Sequence, residues 1–190
     1  MTNKIVVIGG STGSSDVIKA ILSPLPYDFA WPILVVQHQL ASAKDYLLQH
    51  IHSISKIHVK YAADGERPIG GTAYFASPNH HLLLDPQGRL SLNQDAPIRH
   101  SRPSIDCLFG SAVAVFKSEV VGVLLSGANE DGVKGMISID LAGGRTIIQS
   151  PRSSVSDIMP AAAIAAVKSP SIVRGEQIGP YLWDLQKEVE

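Results

Sequence analysis

The stretch VVIGGSTGS, residues 6–14, decides how this chain is expected to fold. A β-branched run from Lys4 to Ile8 stops at two glycines, and residues 15–22 then carry apolar side chains at helical spacing. The stretch therefore predicts a strand, a sharp turn and a helix. The turn also satisfies G-x-S-x-G, in which a tight bend projects the hydroxyl of its central serine, Ser11, above the carboxyl end of a sheet.

The glycine-rich turn is open to more than one interpretation. Its backbone N–H groups at the start of a helix suit an anion, so a phosphate-binding or purely structural turn is the alternative to a nucleophilic Ser11. No lysine follows the glycines, which excludes a Walker loop, and residues 9–13 do not give G-x-G-x-x-G. We therefore expect a nucleophile and rank a doubly wound nucleotide-binding domain last.

Length and composition bound the class of protein. The 190 residues suit a single domain, 1–190, and 45% hydrophobic with 17% charged residues is typical of a packed α/β protein. A net charge of −1 gives no reason to expect nucleic acid. The apolar stretches are strand-length, far below the roughly 20 residues that cross a bilayer, and no signal peptide opens the chain. We expect no membrane insertion, a cytoplasmic location, and in Cys107 a buried small hydrophobe.

The order of the predicted elements indicates the fold. A second strand over residues 32–36 completes a βαβ unit. Further helices are expected at residues 43–54, 104–116, 133–142, 159–167 and 181–189, and further strands at 119–125 and 145–149. Four short segments separated by turn residues, at 56–61, 72–76, 81–85 and 89–92, predict an antiparallel patch. The sequence thus predicts an α/β fold: an open, doubly wound, mainly parallel sheet with helices on both faces and a small antiparallel insertion.

Three of the predicted strands are followed by the side chains that acyl transfer needs: Ser11, His38 and Asp131. A serine hydroxyl is a poor nucleophile until a neutral imidazole takes its proton, and the imidazole needs a carboxylate that fixes its tautomer. We expect all three at one edge of the sheet. Their order differs from the Ser, Asp/Glu, His order of α/β-hydrolases. Asp131 is also a candidate N-cap for the helix from Val133, and the two roles can coexist.

The chain resembles the catalytic domain of the bacterial chemotaxis receptor methylesterases, the protein-glutamate methylesterases of the CheB family. The motifs that carry the resemblance are IGGSTG at 8–13, QH at 37–38, DGE at 64–66, AYFA at 73–76, HSRPSID at 100–106, SG at 126–127 with DG at 131–132, and MP at 159–160. Members hydrolyse methyl esters on receptor glutamates, and some deamidate receptor glutamines. The resemblance implies Ser11 as nucleophile, His38 as general base, Asp131 as its orienting carboxylate, no cofactor, and methylated cytoplasmic receptor helices as partners.

We expect a substrate- and oxyanion-binding set of Thr12, Gly13, Ala128 and Arg102, in which Thr12 supports Ser11 and the resemblance implies the last two. The family's oxyanion hole resembles one built from backbone N–H groups at the histidine and at a methionine, whose place Ala128 takes here. A backbone donor survives that exchange. Arg102 would attract an acidic receptor segment or the product carboxylate, and an ordinary surface charge is the alternative.

This chain departs from the family pattern at several positions. Glu130 adds a carboxylate beside Asp131, which would raise the pKa of the pair or repel an acidic substrate. Ser14 replaces a usual glycine, and residues 39–40 replace Met-Pro. The first strand begins at about Lys4, so we expect no receiver domain and, instead, a separate regulatory protein. A catalytically weakened, receptor-binding signalling module of the same fold is the alternative function.

Histidines raise the question of a metal site. His80 and His81 are adjacent, and the others nearby are His50, His52 and His58. Neighbours at these spacings do not share a helix face, and no acidic or cysteine partner is suitably placed. We therefore expect no metal.

Overall fold

Seven parallel strands form the central sheet of the computed structural model, which describes residues 4–38 and 46–188. In chain order the strands are β1 (Ile5–Gly10), β2 (Ile33–Gln37), β3 (His58–Tyr61), β4 (Thr72–Phe75), β5 (His81–Leu84), β6 (Leu90–Asn93), β7 (Val120–Leu124), β8 (Arg145–Gln149) and β9 (Ser171–Val173). The helices are α1 (Ser15–Leu22), α2 (Tyr46–Ile54), α3 (Ile105–Phe116), α4 (Val133–Leu141), α5 (Ile158–Ala166) and α6 (Ile178–Lys187). The main sheet has the spatial order β3-β4-β2-β1-β7-β8-β9, and β5 and β6 form a separate hairpin.

Strand β1 lies at the centre of this sheet because both of its faces are apolar and buried. Val6 and Ile8 point into a core covered by α1, α2 and α6. Ile5 and Val7 point into a second core covered by α3, α4, α5 and the hairpin. A strand that is apolar on both faces is stable only in a sheet that is covered on both sides.

The chain changes faces between the two strands at the centre. The helix after β1 packs on the first face, and the helix after β7 packs on the opposite face. Strands β1 and β7 are hydrogen-bonded neighbours, so their outgoing loops diverge and leave a crevice at their carboxyl ends. In doubly wound sheets, ligands bind at such a switch point.

The predicted α/β architecture is confirmed, and α1 and β8 have the predicted bounds. The predicted antiparallel patch is correct for two of its four segments and wrong for the other two. Only β5 and β6 pair in antiparallel fashion, whereas β3 and β4 run parallel with β2 in the main sheet. The cause is burial: β4 is buried along its whole length and fits between two strands, and segment 62–71 returns the chain so that β4 starts at the same end as β3.

Smaller differences also have local causes. Strand β9 was not predicted, because its three residues carry no apolar run and its central Ile172 is half exposed. Cys107 is half-buried rather than buried, since the core-facing stripe of α3 is formed by Ile105, Leu108, Phe109 and Ala112. Ser104 is the N-cap of α3, and its side chain accepts from the Cys107 N–H. The predicted helical residues 43–45 lie outside the described part.

None of the helices that the structure describes is long and apolar enough to cross a membrane.

Candidate active site

Ser11 lies at the tip of the turn that follows β1. Its N–H donates to the carbonyl oxygen of Ser126 at 2.9 Å, and its own carbonyl oxygen accepts from the N–H of Ser14 at 3.0 Å. The buried Ser14 hydroxyl donates to the same carbonyl oxygen at 2.7 Å. Ser14, which stands where the family pattern has a glycine, therefore adds a side-chain hydrogen bond that stabilises the turn.

Two glycines make this turn possible. A Cβ on Gly10 would lie 2.6 Å from the Cβ of Ser14, and one on Gly13 would lie 2.3 Å from the Cβ of Val155. Gly13 also has a φ of +80°, in the left-handed region that side chains disfavour. Gly9 and Gly13, the two glycines of G-x-S-x-G, thus both have a steric cause, since a Cβ on Gly9 would collide with the Ile105 side chain.

A buried serine that the sequence analysis missed joins the Ser11 turn to the loop after β7. The hydroxyl of Ser126 lies 2.7 Å from the carbonyl oxygen of Thr12 and 3.0 Å from that of Ser156. It also accepts from the Ser156 N–H at 2.9 Å. The match of SG at 126–127 to a family motif was the available signal, but nothing in the sequence assigned this hydroxyl a partner.

His38 and Asp131 form the predicted pair. Nε2 of His38 lies 2.8 Å from Oδ2 of Asp131, whose side chain is completely buried. The same carboxylate accepts from the N–H groups of Ile105 at 2.7 Å and Asp106 at 3.0 Å, and from the hydroxyl of Ser104 at 3.0 Å.

These hydrogen bonds decide the charge of the pair. Burial raises the pKa of Asp131, but the hydrogen bonds from His38, Ile105 and Asp106 and the charge of His38 outweigh burial and lower the pKa below its usual value. Asp131 is therefore an ionised acceptor. In the neutral imidazole, Nε2 of His38 then carries the proton that faces Asp131, and Nδ1 is the acceptor nitrogen.

The helix that Asp131 caps is α3, not α4. The N-cap of α4 is Gly132, with no side-chain cap, so the expected capping of the helix from Val133 is wrong. The reason is an exchange between helices, because Asp106 Oδ1 accepts from the N–H groups of Gly132 at 2.9 Å and Gly135 at 2.8 Å. Each carboxylate thus occupies the positive end of the other helix, where a negative charge is stabilised. Burial, with the nearby charge of Asp131, raises the pKa of Asp106.

The pKa of Asp131 is lowered, and Glu130 is not among the main causes of its shift, so the expected rise is wrong. The Glu130 side chain is 57% exposed and forms an ion pair at 3.3 Å with Nη1 of Arg99. Its charge is therefore partnered and directed to solvent. Whether Glu130 repels an acidic substrate stays a prediction.

Ser11 and His38 directly follow the paired strands β1 and β2. Gly10 pairs with Gln37, so Ser11 and His38 lie side by side at the same edge of the sheet. Paired strands such as β1 and β2 are about 4.8 Å apart. Within residues 4–38 and 46–188, the Ser11 hydroxyl makes no hydrogen bond to His38 or to another group. The structure thus brings His38 and Asp131 into contact and sets Ser11 beside them.

The backbone donors around Ser11 differ in availability. The N–H of His38, which the resemblance implied as an oxyanion donor, already donates to the carbonyl oxygen of Gly10 at 3.0 Å. The N–H groups of Thr12, Gly13 and Ala128 have no acceptor among the described residues. Ala128 follows Gly127, where a Cβ would lie 3.1 Å from the Cβ of Ser11. N–H groups without an acceptor among the described residues therefore lie both in the Ser11 turn and in the loop after β7 beside it.

Arg102 is occupied by its own loop and by the loop before β5. Its Nε and Nη2 lie 3.0 and 2.7 Å from Oδ1 of Asn79, and its Nη1 donates to the carbonyl oxygens of Gln94 at 2.8 Å and Asp95 at 2.9 Å. The guanidinium fastens two loops together, and its contact with a substrate stays a prediction. No three His, Cys, Asp or Glu side chains in the described part of the chain are placed to share a metal ion. Residues 39–40 lie outside that part.

The fold and the site define a class: doubly wound α/β proteins with a serine, a histidine and a carboxylate at the carboxyl edge of a parallel sheet. The CheB methylesterase family model matches residues 6–182. The crystal structure of the Thermotoga maritima CheB methylesterase catalytic domain superposes with a TM-score of 0.91 at 32% identity, covering 97% of this chain and 100% of that chain. The chain belongs to the CheB methylesterase family.

Two relatives show how much of a longer protein the chain corresponds to. A Leptospira interrogans protein, provisionally named protein-glutamate methylesterase/protein-glutamine glutaminase, is 35% identical over 178 residues, 94% of this chain and 92% of that protein. Protein-glutamate methylesterase/protein-glutamine glutaminase 1 of Cupriavidus metallidurans is 38% identical over 168 residues, 87% of this chain and 47% of that protein. The chain thus spans nearly the whole of the first relative and about half of the second.

Proposed function

We propose that this chain is a serine esterase that hydrolyses glutamate γ-methyl esters on the cytoplasmic helices of chemotaxis receptors. The observation that carries the proposal is the hydrogen bond between the buried, ionised Asp131 and Nε2 of His38. His38 follows the strand that pairs with the one before Ser11, in a chain of the CheB methylesterase family. Such a pair leaves Nδ1 free to take a proton. A cytoplasmic location is part of the proposal.

The reaction begins with the attack of Ser11 Oγ on the γ-carbonyl carbon of the ester while His38 Nδ1 takes the hydroxyl proton. Asp131 keeps Nε2 protonated and stabilises the imidazolium that forms. The carbonyl oxygen becomes an oxyanion between the free N–H groups of Thr12 and Ala128. Collapse of the tetrahedral intermediate breaks the C–O bond, and the methoxide leaves as methanol with the proton from His38.

Water then completes the turnover. His38 takes a proton from a water molecule, the resulting hydroxide attacks the acyl-enzyme, and Ser11 leaves with that proton. The product is a glutamate carboxylate. The same steps on a receptor glutamine would release ammonia, and the names of the relatives include that glutaminase activity. Deamidation is therefore a second candidate activity of this site.

Ser11→Ala tests the proposal. We expect methanol release from a methylated receptor fragment to fall by at least about 10³-fold, with an unchanged circular dichroism spectrum. Ser53→Ala, on the exposed side of α2, is the matched control and should keep full activity. Undiminished methanol release by Ser11→Ala would refute the proposal. Receptor binding by the wild type and Glu130→Asn without methanol release by either would favour the weakened signalling module instead.

A further inference from the structure

One buried histidine has no part in the reaction described above. His81 opens β5 and is 1% exposed. Burying an imidazole costs free energy unless its nitrogens find partners. A leucine would fill this position without that cost, so the partners of His81 indicate what the histidine is for.

Both ring nitrogens of His81 are used, and in different ways. The N–H of Ser104 donates to Nδ1 at 3.1 Å, and Nε2 lies 3.3 Å from the carbonyl oxygen of Ala96. A nitrogen that accepts from an N–H group carries no proton, so Nε2 is the protonated nitrogen and donates to Ala96. The two contacts fix His81 as a neutral imidazole with one acceptor directed at the start of α3.

Ser104 connects that acceptor to the candidate active site. Its hydroxyl donates to Oδ1 of Asp131 at 3.0 Å, and the next two N–H groups, of Ile105 and Asp106, donate to the same carboxylate. The position of this first turn therefore sets where the carboxylate lies. His81 holds the first N–H of the series.

The neighbouring histidine has no such connection. Nδ1 of His80 lies 3.0 Å from the carbonyl oxygen of Pro78, and its Nε2 lies 3.1 Å from Nε2 of Gln94. Neither contact reaches α3. The adjacent pair of histidines thus serves two separate sets of partners, and His80 is a matched control for His81.

We propose that His81 is a positioning residue, which holds Ser104, and through it the Asp131 carboxylate, in the place where that carboxylate orients His38. The kinetic consequence rests on the proposed esterase function, and the spectroscopic consequence does not. An ordered first turn of α3 keeps Asp131 bonded to Nε2 of His38. A loosened turn lets water and other donors compete for the carboxylate.

Three variants separate the contacts of His81. His81→Asn places an amide oxygen near the position of Nδ1 and retains an acceptor for the Ser104 N–H. His81→Gln reaches toward Ala96 but presents no acceptor at the δ position, and His81→Leu supplies neither group. We expect kcat to stay within about 3-fold of wild type in the Asn variant and to fall at least about 10-fold in the Gln and Leu variants. KM should change less than about 2-fold in all three, because substrate contacts are untouched.

A second measurement does not depend on ester hydrolysis. The proton shared by His38 Nε2 and Asp131 should give a low-field imidazole resonance in the ¹H NMR spectrum, assigned by its loss in His38→Gln. We expect this resonance in the wild type, in His81→Asn and in His80→Leu, and its loss or broadening in His81→Gln.

The outcomes separate the two proposals. A wild-type protein without methanol release would refute the esterase, while the resonance pattern would still decide the role of His81. Equal kcat values and equal resonances in the Asn and Gln variants would overturn that role, as would an effect of His80→Leu as large as that of His81→Gln. If none of the three His81 variants folds, His81 serves the fold alone, which also overturns it.

Discussion

A helix begins on each side of the crevice, and the two sides differ in whether their backbone N–H groups have acceptors. On the α3 side, the first N–H groups are all taken: His81 accepts from Ser104, and Asp131 accepts from Ile105 and Asp106. On the α1 side, the N–H groups of Thr12 and Gly13, in the turn just before the N-cap Ser14, have no acceptor among the described residues, and Ser14 makes no side-chain cap.

This difference indicates how one fold divides its tasks. A helix start filled by an internal carboxylate is a fixed, preorganised support for His38. A helix start left open has unpaired donors and a positive dipole end, which suit a negative charge that exists only during the reaction. In the proposed reaction, the closed side orients the base, and the open side receives the oxyanion.

Asp131→Asn changes the carboxylate of the closed side, at the start of α3, and should have the largest effect on activity. The amide stabilises an imidazolium poorly and favours the wrong tautomer of His38, so kcat for methanol release should fall at least about 10³-fold. The fold should also lose stability, because the amide N–H₂ faces donors of α3. Turnover assays and thermal melting measure both effects. Asp28→Asn, on the exposed surface, is the control, and an active Asp131→Asn would contradict the closed-side role.

Gly13→Ala changes the open side, in the turn before α1. The new Cβ would collide with Val155, and alanine is strained at a φ of +80°. We therefore expect a loss of about 1 kcal/mol or more in the free energy of unfolding and a fall in kcat of roughly 10-fold or more. Gly65→Ala is the matched control. Gly65 has a φ of +74° but open space around it, so that variant should show the strain without the kinetic loss. Equal kinetic losses in both variants would show that the open side has no special role.

The pH dependence of stability should distinguish the two exchanged carboxylates. The pKa of Asp131 is lowered in the folded state, so its stabilisation is present above the unfolded value of about 3.9 and is lost as the pH falls toward the folded value. The pKa of Asp106 is raised, so its protonation on acidification favours the folded state instead. Urea unfolding between pH 7 and pH 3 should therefore show a shallower acid loss in Asp131→Asn than in wild type, and a steeper one in Asp106→Asn. The same slope in both variants would contradict the assignment.

Glu130→Gln should have the smallest effect. The ion pair with Arg99 is exposed, and such pairs contribute about 0 to 1 kcal/mol at most. We expect the free energy of unfolding to change by less than about 0.5 kcal/mol and kcat/KM by less than about 3-fold. Both changes should be smaller at high salt, which screens the exposed charges. A large rise in activity would instead show that Glu130 restrains the site.

The parts of the molecule that follow from local sequence were predictable. The bounds of α1 and the turn at Ser11 depend on helical spacing and on glycines within one short stretch, so they were predicted. The direction of β4 was not, because a strand's orientation is set by the neighbours that bury it. The three candidate catalytic residues could be named from strand ends and family motifs.

Their supports could not be predicted in the same way. Asp131 precedes α4 but caps α3, and His81 reaches Ser104 across 23 positions of the chain. Such partners are decided by the packing of the hairpin and α3 on one face of the sheet, which leaves no periodic or compositional trace in the sequence.

The exchange of carboxylates between α3 and α4 has a consequence for local motion. The amides of Ile105 and Asp106 are protected by a group on the α4 side, and those of Gly132 and Gly135 by a group on the α3 side. Neither helix start can come loose alone, since separating them breaks both sets of bonds at once. These four amides should therefore exchange with deuterium at a common rate, as one cooperative opening unit that carries His38's partner with it.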